Sequence, residues 1–168
     1  MPSLLFDDGI YSAFRQNLLA ASPREQAGFA YFADSGEPDL PIARVEILSD
    51  EDFVVQQSDY IEISDEARQR IIVTAHEGGF GVVEFHTHPF PLPAEFSYAD
   101  FSGLQNAVPH MLWRLKRRAY GAIVIGPSDF DGLLWLPDQS VHQVNAIFEG
   151  PIEFAATRRS IERWQSLR

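Results

Sequence analysis

The residues best suited to chemistry lie in one stretch, "EFHTHPFPLPAEFSYAD", residues 84–100, which holds two of the five histidines in the chain. "GVVEFHTH" has strand periodicity, so Glu84, His86 and His88 point to one face and Val83, Phe85 and Thr87 to the other. Two imidazoles on one face, two residues apart, can both reach a single ion at about 2.0 to 2.1 Å, the zinc to nitrogen distance. Pro89 ends the strand because proline has no amide hydrogen to give a sheet, and Pro91 and Pro93 stiffen the loop that follows. Asp100 offers a third ligand from the first turn of a helix beginning at Ser97. Two histidines and a carboxylate leave one tetrahedral position for water, the mark of a catalytic rather than a structural zinc site. "SYAD" has a second reading as a capping box, with Ser97 as N-cap and Asp100 three residues on.

The elements that must position these groups follow from periodicity and punctuation. "IYSAFRQNLLAA" (10–21) has helical spacing, and "GFAYFA" (28–33) reads as a buried strand turning at "DSGEPD". "PIARVEILS" and "YIEIS" alternate like strands with one wet face. Ser64 caps a helix over "DEARQRIIVTAHEGG", whose glycines stop it. The helix from Ser97 is predicted to reach about Val108, where Pro109 breaks it or opens a second turn of helix before "MLWRLKRR". "YGAIVIG" and "DGLLWLP" form a hairpin-like pair around "PSD", "VHQVNAIFE" a further strand, and "IEFAATRRSIERWQSL" a closing amphipathic helix.

The 168 residues are 45% hydrophobic and 22% charged, the composition of one packed domain, and no repeat or linker divides them. The absence of cysteine excludes disulfides, thiolate ligands and a cysteine nucleophile, so a metal must use His, Asp or Glu. "MPSLLFDDG" has no basic start and no long apolar run follows, which predicts a soluble cytoplasmic protein without a membrane partner. The net charge of −11 disfavours nucleic acid, whose phosphates it would repel. That charge is uneven, −13 over residues 1–113 and +2 over 114–168. The basic run Arg114 to Arg118 reads either as cations at a helix end or as a docking patch for an acidic surface.

His86, Thr87, His88, Pro89, Ser97 and Asp100 match without a gap the motif H-[ST]-H-P-x7-S-x2-D of the JAMM metalloproteases of the JAB/MPN domain, and the chain resembles their bacterial branch. Phe96 departs from that branch, which often has proline before the serine. The family also uses an upstream glutamate in an E-x-x-G element, and "EQAGFAYF" supplies Glu25 and Gly28. Two alternatives stand beside Glu25 as the base: Ser22, Pro23 and Glu25 as a plain helix start, and Glu84 as the acidic group on the histidine face. The nearness of Glu84 favours a role in holding an imidazole tautomer. His76, His110 and His142 read as structural.

The resemblance implies an α/β (α+β) JAB/MPN-like domain over 1–168, with a mixed, mostly antiparallel curved β-sheet flanked by helices in cytidine-deaminase-like layering. It implies one zinc ion (Zn2+) per chain on His86, His88 and Asp100, acidifying a water, with Glu25 carrying its proton and Ser97 steadying the oxyanion. The implied activity is that of a peptidase or isopeptidase cutting after the C-terminal glycine of a ubiquitin-like or sulfur-carrier protein. Two other readings remain at this stage: a metallohydrolase for a small amide or carrier adduct, and a catalytically silent MPN-like scaffold.

Overall fold

A computed structural model describes residues 1–167 of the chain. The elements are β1 (Ser3–Phe6), α1 (Ile10–Leu19), β2 (Ala27–Ala33), β3 (Asp39–Ile47), β4 (Phe53–Gln56), β5 (Ile61–Ile63), α2 (Asp65–Gly78), β6 (Phe80–Thr87) and α3 (Tyr98–Arg114). They continue as β7 (Tyr120–Ile125), β8 (Phe130–Trp135), β9 (Val141–Gln143), β10 (Ala146–Glu149), β11 (Ile152–Ala155) and α4 (Ile161–Ser166). A nine-stranded sheet has the order β11-β10-β1-β3-β2-β6-β7-β8-β9, and β4 pairs with β5 beside it. Its pairings are antiparallel except β1 with β10, β1 with β3, and β6 with β7, which makes it the mixed, mostly antiparallel sheet expected.

The sheet curls until its two sides meet. β9 and β10 stand far apart in the strand order, yet only Val144 and Asn145 separate them in the chain. The Val144 amide still donates to Gly132 of β8 (2.9 Å), and the next, that of Asn145, already donates to Pro2 beside β1 (2.8 Å). Alternation along the strands then gives two apolar faces. Val83, Phe85 and Ile123 pack under α1 through Phe14 and Leu18, whereas Val82, Ala122 and Val124 pack under α2, α3 and α4. Gly28 is required where α1 and β3 close on β2, since a Cβ there would lie 2.8 Å from the Glu46 carbonyl and 2.9 Å from the Phe14 ring.

Ser64 caps α2 by accepting the Ala67 amide (3.1 Å), and Gly79 ends it at φ 67°. β7 and β8 form the expected hairpin. Three expectations are corrected. Pro109 lies inside a continuous α3 of 17 residues. An interior proline costs about 3 kcal/mol. The flanking Val108, Met111 and Leu112 are all buried, and each such side chain recovers about 1.5 to 3 kcal/mol. "VHQVNAIFE" is two strands, because the curl takes the chain from β8 to β1 at its middle. Residues 152–155 are a strand rather than the start of the last helix: β10 offers them an edge, and the Phe154 ring sits 5.0 Å from that of Tyr11. β1 and β4 were not among the elements expected.

In the basic run, Arg114 donates to Gln69 (2.8 Å), and Arg118 lies 2.8 Å from the His76 ring, whose pKa slight burial and the nearby Arg118 and Lys116 charges lower. Among the described residues, no helix is long and apolar enough to cross a membrane.

Candidate metal centre

The site stands where the parallel pair β6 and β7 ends. His86 is in the last turn of side chains of β6, and the His88 amide donates to Ile125 of β7 (2.8 Å), which carries the ladder past the strand end. The connection between the two strands is α3, so its first turn returns Asp100 to the strand terminus. The antiparallel neighbour β2 pairs Ala27 with His86, which sets the residues just before β2 beside both imidazoles. Thr87, fully buried between the histidines, fastens that arrangement: its Oγ1 accepts the Gln26 amide (2.9 Å) and its own amide donates to the Gln26 carbonyl (3.0 Å).

His86 Nε2 and His88 Nε2 are 3.2 Å apart, Asp100 Oδ1 is 3.3 Å from the first and Asp100 Oδ2 is 3.1 Å from the second. One ligand atom from each of the three side chains lies within 4.8 Å of the others, and the two nitrogens, 3.2 Å apart, match the spacing of about 3.3 Å between ligand atoms of a tetrahedral ion bound at about 2.0 to 2.1 Å. The donor set, two imidazole nitrogens and a carboxylate, suits a divalent ion of the zinc type. His86 is 6% and His88 9% exposed, and the Phe96 ring lies 5.8 Å from that of His86.

The capping-box reading of "SYAD" holds, and it is compatible with the ligand reading. Ser97 Oγ accepts the Asp100 amide (3.1 Å), and the Ser97 amide donates to Asp100 Oδ2 (2.7 Å). The capping box thus aims the carboxylate at the imidazoles, and the positive end of the α3 dipole favours its charge. The Ser97 hydroxyl accepts in this box, which leaves its own proton to donate elsewhere.

Glu25 precedes β2 in extended chain, not in a helix start. Its backbone is clamped on both sides, the amide donating to Gln57 (2.8 Å) and the carbonyl accepting from Gln56 Nε2 (3.0 Å). The carboxylate is buried, with Oε1 3.5 Å from His88 Nε2, beyond hydrogen-bond length. Burial pushes its pKa up to about 7, against the pull of His86 and with help from Asp100 and Asp59. Burial alone would lower His86, but Asp100, Glu25 and Glu84 lift it to about 9. Burial would raise Asp100, but the two imidazoles hold it far below the usual carboxylate range.

Glu84 faces the same cleft but is engaged elsewhere. Its Oε2 accepts from the Tyr120 hydroxyl (2.6 Å) and lies 3.6 Å from Arg68 Nη1, and among the described residues no hydrogen bond joins it to either imidazole. Arg68 and Tyr120 were missed in the sequence, where neither the apolar face of α2 nor the apolar run of β7 marks a partner for Glu84. The cleft has a volume of about 540 Å³ and runs from Glu25, His86 and Asp100 past Arg68 to β5. His110 and His142 stay outside the cluster, beside Trp113 and Ser140.

A curled mixed sheet with helices on both faces, carrying a His-His-Asp group at the end of a parallel strand pair, defines a JAB-like domain. The model of prokaryotic homologs of the JAB domain matches residues 7–142, and the chain belongs to that family. The solution structure of protein DSY2949 from Desulfitobacterium hafniense is similar at a TM-score of 0.58 and 18% identity, over 88% of this chain and 94% of that one. A solution structure of a protein from Salinibacter ruber aligns at a TM-score of 0.47 and 20% identity, over 90% and 97% of the two chains. No curated protein matches.

Proposed function

We propose that this chain is a zinc-dependent peptidase or isopeptidase that cuts after the C-terminal glycine of a ubiquitin-like or sulfur-carrier protein. The carrying observation is the cluster of His86, His88 and Asp100, whose ligand atoms lie within 4.8 Å of one another, with the Glu25 carboxylate 3.5 Å from His88. His86, His88 and Asp100 would hold the zinc ion, which would supply Lewis acidity toward water and a carbonyl. Glu25, a buried carboxylate 3.5 Å from His88, would take the proton of the attacking water and pass it to the leaving amine. The Ser97 hydroxyl, still able to donate, steadies the oxyanion, and no covalent intermediate with the chain is needed.

The cleft supports an extended substrate. β5 lines it, and the ladder to β4 occupies only one edge of β5, so a tail can add main-chain bonds on the other. On the opposite wall, Ala99 and Gly103 of α3 leave little side-chain bulk, which suits a glycine-ended tail.

The test is to incubate the protein with fusions carrying a ubiquitin-like domain, with and without a chelator, beside Glu25→Gln. The expected result is cleavage after the terminal glycine that chelator abolishes, with Glu25→Gln retaining zinc but slower at least 100-fold, as loss of a general base implies. Cleavage by Glu25→Gln at the parental rate contradicts the assignment of the base. Absence of cleavage in zinc-loaded protein across the fusions contradicts the substrate class.

A further inference from the structure

The loop from Pro89 to Ser97 joins two of the three putting-forth points of the metal cluster, His88 and Asp100, yet it has almost no bonds of its own. Pro89, Pro91 and Pro93 have no amide to donate, and one internal main-chain bond, Leu92 to Phe90 (2.8 Å), is found within it. Its placement comes from outside. The Ala94 amide donates to Asp129 Oδ1 (2.9 Å), and the Ala94 carbonyl accepts from Thr157 Oγ1 (2.6 Å). The Phe96 amide donates to Ser160 Oγ (3.0 Å), and the Phe96 carbonyl accepts from Arg163 Nη1 (3.3 Å). Three of these four bonds come from residues 157–163, beyond the span matched by the family model.

That segment is itself fixed from below. Ser160 is fully buried, and its amide donates to Oδ2 of Asp131 (2.8 Å), a fully buried carboxylate of β8. Asp131 Oδ1 accepts the Gly132 amide and Gln143 Nε2, both at 2.9 Å, so its charge is met by N–H groups rather than by a cation. Arg163 continues across the first turn of α3, with its guanidinium 5.1 Å from the Phe101 ring centre and 5.4 Å from that of Tyr98.

We propose that residues 157–163 are a positioning strap for the metal ligand Asp100, with Ser160, anchored by Asp131, as its main post. The route is short. Ser160 sets the height of Phe96, Phe96 is bonded to the N-cap Ser97, and the capping box passes that position to the Asp100 carboxylate. Without the strap, the proline loop still spans the gap but no longer fixes where α3 begins, and the carboxylate loses its register with the imidazoles. Groups bonded directly to a metal ligand, as Ser97 is to Asp100, typically change metal affinity about 10- to 100-fold, and Ser160 acts through Ser97.

This inference rests on the metal reading of His86, His88 and Asp100, so its test must separate the two. Zinc affinity is measured by competition with a chromophoric chelator, and site geometry by the visible absorption of the cobalt(II)-substituted protein. Parent, Ser160→Ala and Arg163→Met are compared, each with its urea unfolding curve. Ser160→Ala is expected to bind zinc at least tenfold more weakly and to lose the intense bands of tetrahedral cobalt while still unfolding cooperatively. Arg163→Met, on the exposed side of the strap, is expected to weaken zinc about threefold. Folded Ser160→Ala with parental zinc affinity and cobalt spectrum overturns the strap. Should Ser160→Ala not fold, unchanged affinity in Arg163→Met does the same. A parent chain that binds no zinc refutes the metal reading, and the strap with it.

Discussion

Two charged clusters share one face of β6, two residues apart, and they are built on opposite terms. At Glu84 the cluster closes on itself: the carboxylate takes the Tyr120 hydroxyl and faces Arg68, one negative charge against one positive. At His86 it does not close. Two carboxylates, Asp100 and Glu25, face two imidazoles, and together with Glu84 they lift His86 to about 9. Proximity of charged groups is therefore common to both, and what distinguishes the candidate metal centre is three side chains whose ligand atoms converge within 4.8 Å of one another.

Breaking the balanced cluster gives the largest stability effect. Arg68→Met leaves Glu84 half-buried without its cation, and should lower the free energy of unfolding by about 2 kcal/mol. That is below the cost for a fully buried pair because the Arg68 side chain keeps 31% exposure. Urea unfolding measures it, and zinc affinity should stay within about threefold of the parent, since Arg68 is no ligand. An equal loss of zinc affinity would mean that the two clusters are one unit.

A surface cluster sets the small end of the scale. Arg70 donates to both oxygens of Asp52 (3.0 Å each) and to Glu46 (2.9 Å). The Arg70 hydrogen bonds hold Asp52 below the usual carboxylate range, against a smaller effect of burial. A carboxyl lowered in the folded state stabilises the fold above its unfolded pKa of about 3.9, and that contribution disappears as pH falls through the folded value. Arg70→Gln should thus cost about 0.5 kcal/mol at pH 7 and progressively less below pH 4, read from thermal unfolding across that range.

The local parts of the site could be read from the sequence because each depends on neighbours in the chain. Strand alternation puts His86 and His88 on one side, and the Ser97 to Asp100 spacing marks a helix start. The groups that hold those parts in place were hidden because they come from afar. Tyr120 reaches Glu84 from 36 residues away, and Ser160 reaches Phe96 from 64. Pro109 and residues 152–155 misled for a related reason: each has a local preference that burial in one case, and the free edge of β10 in the other, overrides.

The central claim is that His86, His88 and Asp100 close on one divalent ion. Its most direct test is the zinc content of purified protein after dialysis against a slight excess of the metal, for the parent chain and for His88→Ala, with circular dichroism to verify the fold of each. The expected result is one zinc per parent chain and none in a folded His88→Ala. Metal-free parent protein, or equal zinc in both chains, would contradict it.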